Sequence, residues 1–256
     1  MTLVISRLLL ALTLFWGVPI VAAAEPVESE IEAPGPDGPL KGLMLSPDAQ
    51  SAPVVLIIPG SGPTDRNGNS LHGLHTDTYK LLAEGLAERG IASVRIDKRG
   101  LYSSHAAIPN ANNVTIADYA SDVHTWAAAI RGKIGAKCIW LLGHSEGGLV
   151  AMVAAKDKRP DICGLILVAT AGRKLGDVIK DQMRSNPANA PLIDEAFRDI
   201  DLLAAGQHVE FDMEHTRPEI TALFPPQVQG FLIEAMSYDP LQVLAQYKEP
   251  VLILQG

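Results

Sequence analysis

Positive charge is scarce in this chain. Lys and Arg number 21 against 29 Asp and Glu, for a formal net charge of −8 over 256 residues. A phosphate-backbone binder needs a basic face, so nucleic acid is not an expected partner. Long apolar runs are also missing. The longest, Leu8 to Val21, is 14 residues interrupted by Pro19, which is short for a spanning helix. Gly (22) and Pro (18) stay below the level of a low-complexity chain. The metal-binding patterns H-x-x-E-H and H-E-x-x-H are absent. There is no internal repeat, and the chain holds two cysteines, Cys138 and Cys163.

What is present begins with a processing signal. Arg7 is the only charge in Met1–Ala24; the apolar run follows it, and Ala22-Ala23-Ala24 precedes Glu25-Pro26. This is the pattern of a cleaved signal peptide. It predicts an exported protein, periplasmic or extracellular, with no stable membrane anchor after cleavage. No twin-Arg pair and no cysteine near the cleavage point suggest another route or a lipid anchor.

The 47% hydrophobic content is arranged as short apolar runs alternating with helical patterns, the mark of βα units around a mostly parallel sheet. Strands are expected at 40–45, 54–58, 91–96, 139–142, 165–168 and 251–254. Helices are expected at 78–89, 115–131 and 146–155. Residues 173–248 break the alternation with helical patterns at 191–203 and 227–236, and are too long for a plain connection. The predicted organisation is a signal peptide (1–24), an α/β core (25–172), a helical cap (173–248) and the start of the resumed core (249–256).

Gly143-His144-Ser145-Glu146-Gly147 follows one buried-strand run and opens a helical one. G-x-S-x-G in that setting is a nucleophile elbow, a turn so sharp that its flanks must be glycine and its serine is lifted above the sheet edge. Ser145 is therefore the candidate nucleophile. Pro59-Gly60-Ser61-Gly62 follows the 54–58 strand, and the backbone N–H groups of Ser61 and Glu146 are the candidate oxyanion donors. A dinucleotide loop is excluded there, because Gly60-Ser61-Gly62-Pro63-Thr64-Asp65 lacks the third glycine of G-x-G-x-x-G.

With Ile58–Asn69, Arg95-Ile96-Asp97-Lys98-Arg99-Gly100, Gly143–Gly148 and Pro250–Gly256, the chain resembles the α/β-hydrolase superfamily. It looks most like secreted bacterial serine esterases of the branch that includes proline-iminopeptidase and acyl-thioesterase-like enzymes. The resemblance implies a cap between the sixth and seventh strands and cleavage of a small-molecule carboxylic ester through a Ser145 acyl-enzyme. No metal or organic cofactor is needed for that chemistry. Peptidases and acyl-thioesterases share the elbow, and a catalytically dead binding protein would keep the fold. One departure is Tyr102, where such proteins more often carry glycine.

The superfamily order of the triad is Ser, then Asp or Glu, then His. Acid and base would both fall after 251–254, beyond Gly256, so the expectation is a C-terminally truncated chain that lacks the last strand and helices and is inactive or impaired. His144 is expected to point away from the working side of Ser145. His72 and His75 could approach the site from the loop after the oxyanion segment, and His208 and His215 from the cap; each is also explained as a surface residue. Asp65-Arg66 reads as a turn with a local ion pair, and Asp97-Lys98-Arg99 as a charged run that holds a loop. Cys138 and Cys163 each precede a strand at similar height in neighbouring positions, leaving open a disulfide or two packed thiols.

Overall fold

Strand side chains alternate between faces, so a continuous apolar run must be covered on both sides. The computed structural model describes residues 25–47, 52–71, 73–212, 214 and 216–255. The expected signal segment (1–24), His72, His215 and Gly256 lie outside them. The strands are β1 (Val27–Ala33), β2 (Leu40–Ser46), β3 (Val54–Ile58), β4 (Ala92–Ile96), β5 (Ile139–His144), β6 (Ile162–Val168) and β7 (Val251–Leu254). The core helices are α1 (Thr78–Ala87), α2 (Ile116–Ile134) and α3 (Glu146–Ala155). Between β6 and β7 come α4 (Leu175–Ser185), α5 (Ile193–Ala204), α6 (Pro218–Leu223), α7 (Gln229–Ser237) and α8 (Pro240–Ala245).

The sheet order is β1-β2-β4-β3-β5-β6-β7. From β4 to β7 the pairs are parallel; β2 runs antiparallel to β4 and to β1. In β3, Val54, Leu56 and Ile58 pack on the α2–α3 side, whereas Val55 and Ile57 pack on the α1 side with Tyr79, Ala83 and Ala87. This is the α/β-hydrolase architecture, an α/β fold whose mostly parallel sheet is flanked by helices, with a helical insertion ahead of β7.

The sequence reading finds no strand at β1. Val27–Ala33 holds three glutamates and only Ile31 and Ala33 are buried, so it lacks an apolar run. Charge on an edge strand blunts pairing with other chains. The opposite edge differs: the residues of β7 are exposed, from 37% at Val251 to 61% at Ile253. In the insertion, the expected helix at 191–203 starts only at Ile193, because residues 187–192 form a 3₁₀ turn around Pro191.

Residues 173–248 have a core of their own, with Met183, Ala196, Ile200, Leu203, Ile220 and Phe224 buried together. The Gln229 side chain is buried inside it, accepting from the Val209 N–H at 2.9 Å and donating to the Phe224 and Val209 carbonyls. Among the described residues no helix is long and apolar enough to cross a membrane.

Cys138 immediately precedes β5 and Cys163 is the second residue of β6. They form a disulfide with Cα atoms 5.2 Å apart across a separation of 25 residues. Closing a loop of that length removes unfolded-state entropy worth roughly 3–4 kcal/mol. A Cys138→Ser/Cys163→Ser double variant is expected to unfold at lower urea concentration by about that free energy. An unchanged midpoint would show that the bridge constrains nothing.

Candidate functional site

Ser145 sits between β5 and α3 at φ 53° and ψ −118°, a conformation that L-residues avoid unless neighbours enforce it. The enforcement is visible. The Ser145 N–H donates to the Val168 carbonyl of β6 at 2.9 Å, and its carbonyl accepts from the Gly148 N–H at 3.0 Å. A Cβ on Gly143 would lie 2.3 Å from the Gly147 carbonyl oxygen, and one on Gly147 would lie 2.3 Å from that of Ile58. Only glycine fits either place. Below the turn, α3 after Glu146 is apolar all round and almost wholly buried, so the elbow stands on a helix that cannot shift. The N-terminal end of α3 faces the site, where partial positive charge favours a developing anion.

His144 is turned underneath. The Gly60 N–H donates to the Tyr79 hydroxyl at 3.1 Å, and Tyr79 Oη lies 2.8 Å from His144 Nδ1. The Tyr79 hydroxyl thus bridges the Gly60 N–H and the His144 ring. Burial pushes the His144 pKa below its ordinary value, consistent with a neutral ring. The same burial raises the Tyr79 hydroxyl. Gly60 thus spends its N–H on Tyr79, whereas the N–H groups of Ser61 and Glu146 donate to no described residue. Both residues line the same cavity as Ser145.

Lys98 is buried behind this loop. Its Nζ donates to the Gly60 carbonyl at 2.8 Å, lies 3.5 Å from Glu146 Oε1 and sits 5.3 Å from the centre of the Tyr119 ring. One ammonium therefore ties the 59–62 loop to the residue after Ser145. Arg99 forks onto Asp122 of α2 through Nε at 2.7 Å and Nη2 at 2.6 Å, and Asp97 holds the Arg66 backbone and guanidinium. The Arg66 ion pair is thus made with Asp97. Asp65 instead accepts from the Asn67 and Asn69 N–H groups and closes its own turn. Tyr102, the departure from glycine, takes φ 45°, and its hydroxyl bonds to the Pro63 carbonyl. That bond ties a strained residue to the end of the same loop.

In front of Ser145 lies a cavity of about 680 Å³ roofed by α4 and α7, with Leu175, Val178, Ile179, Phe231 and Leu232 in its wall. Among its described lining residues Glu146 is the only carboxylate and none is a histidine. His75, His105 and His208 are exposed, and His124 bonds the Ala154 carbonyl. The Ser145 hydroxyl makes no side-chain capping bond to its own helix. Sequence reasoning picks out Ser145, Ser61 and Glu146 but misses Tyr79. Its helical pattern signals only burial, and its bonds reach 19 and 65 residues along the chain.

A family model described as serine aminopeptidase, S33, matches residues 70–223, more than half of the chain. No curated protein matches. The fold is similar to that of the α/β-hydrolase GrgF from Penicillium sp. sh18, at 19% identity, 90% coverage of each chain and a TM-score of 0.54. It is also similar to proline iminopeptidase from Mycobacterium smegmatis, at 18% identity, covering 88% of this chain and 80% of that one with a TM-score of 0.56. Est1E from Butyrivibrio proteoclasticus, solved with ferulic acid, matches at 19% identity, 84% and 74% coverage and a TM-score of 0.52.

Two expectations follow from the bonds beneath the elbow. Tyr79→Phe leaves the Gly60 N–H and His144 Nδ1 without their partner, which should lower stability by about 1–3 kcal/mol in urea denaturation. No loss would show that water replaces the hydroxyl. His144 has a depressed folded pKa, so the unfolded chain binds its proton first. The stability it contributes is complete above about 6.5, the unfolded value, and is lost as pH falls below it. Midpoints measured from pH 7.5 to 5.5 should fall more steeply for the unaltered protein than for His144→Gln; parallel curves would refute the assignment.

Proposed function

The chain belongs to the serine aminopeptidase S33 family of α/β-hydrolases, and on that premise we propose that it is a serine hydrolase cleaving uncharged carboxylic esters through Ser145. The observation that carries the ester reading is the composition of the cavity. An aminopeptidase has to receive a free ammonium group, and an ammonium entering a desolvated site needs a carboxylate partner. The one described carboxylate in the lining, Glu146, is already engaged by Lys98. The walls contributed by α4 and α7 instead suit an apolar acyl chain.

In the proposed reaction Ser145 Oγ attacks the ester carbonyl, and the N–H groups of Ser61 and Glu146 stabilise the oxyanion, each worth a factor of about a hundred or more in rate. The acyl group stays on Ser145 while the alcohol departs, and water then releases the acid. The Ser145 proton passes to a histidine outside the described residues, held by a carboxylate in the order usual for this fold, and is returned to the departing alcohol as its C–O bond breaks. The protein is also proposed to be exported. The pattern of Met1–Ala24 and the Cys138–Cys163 bridge support an oxidising compartment.

A fluorophosphonate probe is expected to label a chain that carries the acid and histidine of the triad and to fail on its Ser145→Ala variant, whereas residues 1–256 alone should turn over esters at least about a thousandfold more slowly. p-Nitrophenyl hexanoate should be hydrolysed with the same dependence on Ser145, and L-alanine p-nitroanilide should not be. Faster release from the anilide would replace the ester reading with an aminopeptidase one. No labelling of the chain that carries the acid and histidine would favour a binding protein on the same fold.

A further inference from the structure

The cavity in front of Ser145 has a neighbour. A second cavity of about 270 Å³ is lined by Leu101, Ala111, Val114 and Tyr119, and it shares Gly62, Glu146, Val228 and Phe231 with the larger one. Phe231, on α7, stands edge-on to Tyr119 of α2, with ring centres 6.3 Å apart and planes at 68°. The two chambers therefore meet at Phe231, and the position of α7 decides the shape of both.

One carboxylate on α7 reaches the core. Glu234 Oε2 accepts the Ile116 N–H at 2.6 Å, while Oε1 accepts the Ala117 N–H at 3.3 Å and the Tyr238 hydroxyl at 2.8 Å. Ile116 and Ala117 are the first residues of α2, whose N–H groups have no acceptor within their own helix. The end of α2 is already closed by its own capping box, in which Thr115 and Asp118 bond each other reciprocally. Glu234 is thus an additional anion supplied from the cap to a helix N-terminus, where negative charge is favoured. It is committed to three donors, and Tyr238, one of them, is itself part of the cavity wall.

We propose that Glu234 is a positioning residue: docked on the start of α2, it holds α7 and Phe231 at the height that keeps the two chambers apart, and so sets the length of ester the site accepts. This rests on the ester reading of the same site. A short acyl group occupies the region beside Ser145 and is indifferent to the partition. A long one follows the wall formed by α7 and depends on where that wall stands.

The test uses the enzyme with the acid and histidine of its triad included, with hydrogen exchange and kinetics side by side. Glu234→Ala is expected to speed exchange of the Ile116 and Ala117 amides and of α7 at least tenfold. It should raise KM for p-nitrophenyl octanoate at least fivefold and leave kcat for p-nitrophenyl acetate within twofold. Glu234→Gln, which keeps one acceptor oxygen, should fall between. Phe231→Ala removes the partition and leaves the latch; it should reproduce the chain-length effect with exchange at Ile116 and Ala117 unchanged. Unaltered exchange in Glu234→Ala, equal KM changes for acetate and octanoate, or no chain-length effect in Phe231→Ala would each overturn the proposal. If the unaltered protein hydrolyses no ester, the ester reading fails alone. Exchange together with Nile red binding then decides the latch: both variants should weaken binding at least fivefold, and unchanged affinity refutes it.

Discussion

The structure turns on how closely α3 approaches the ends of β3 and β5. With the Gly147 carbonyl 2.3 Å from where a Cβ on Gly143 would stand, and the Ile58 carbonyl equally near one on Gly147, the chain has no freedom at this turn. Ser145 is forced to φ 53° and its side chain away from the sheet. A strained residue persists only where its surroundings over-determine it. Here they are the Val168 carbonyl on one side and a buried helix beneath that is apolar after Glu146.

The second layer of that support is polar and rests on two buried cations. Lys98 and Arg99 are both buried, at 7% exposure each. Buried charge is costly unless paired and hydrogen-bonded. Lys98 meets the Gly60 carbonyl and Glu146; Arg99 meets Asp122 and the Asp118 carbonyl. Lys98 holds the loop beside Ser145 from behind, and Arg99 ties the segment after β4 to α2. In the proposed reading the site has fixed backbone dipoles beside Ser145, with the apolar side chains of α4 and α7 over them.

Those walls come from the insertion between β6 and β7, which folds around its own apolar cluster. A cap with a separate core keeps its shape even when its contacts to the sheet domain are few, so a small number of bonds can decide where it sits. Glu234 and Phe231 supply such bonds on one helix, nine residues long. Position of the cap and shape of the cavity are therefore linked through α7.

What the sequence determined by itself is what local rules encode. Continuous Val/Leu/Ile runs marked β3 and β5 because two-sided burial needs them, and G-x-S-x-G between a strand and a helix marked Ser145 because glycine alone tolerates that turn. The run of prolines and helical patterns after β6 marked an insertion. β1 escaped because its burial rests on two residues among glutamates, and the start of α5 slipped because Pro191 suits a 3₁₀ turn as well as a helix. The tertiary structure alone decided the rest. Tyr79 reaches Gly60 and His144, Lys98 reaches Gly60 and Glu146, and Glu234 reaches Ile116 across 118 residues. Each is a hydrogen bond between groups far apart in the chain, and a bond of that kind leaves no periodicity, composition or spacing for a sequence to display.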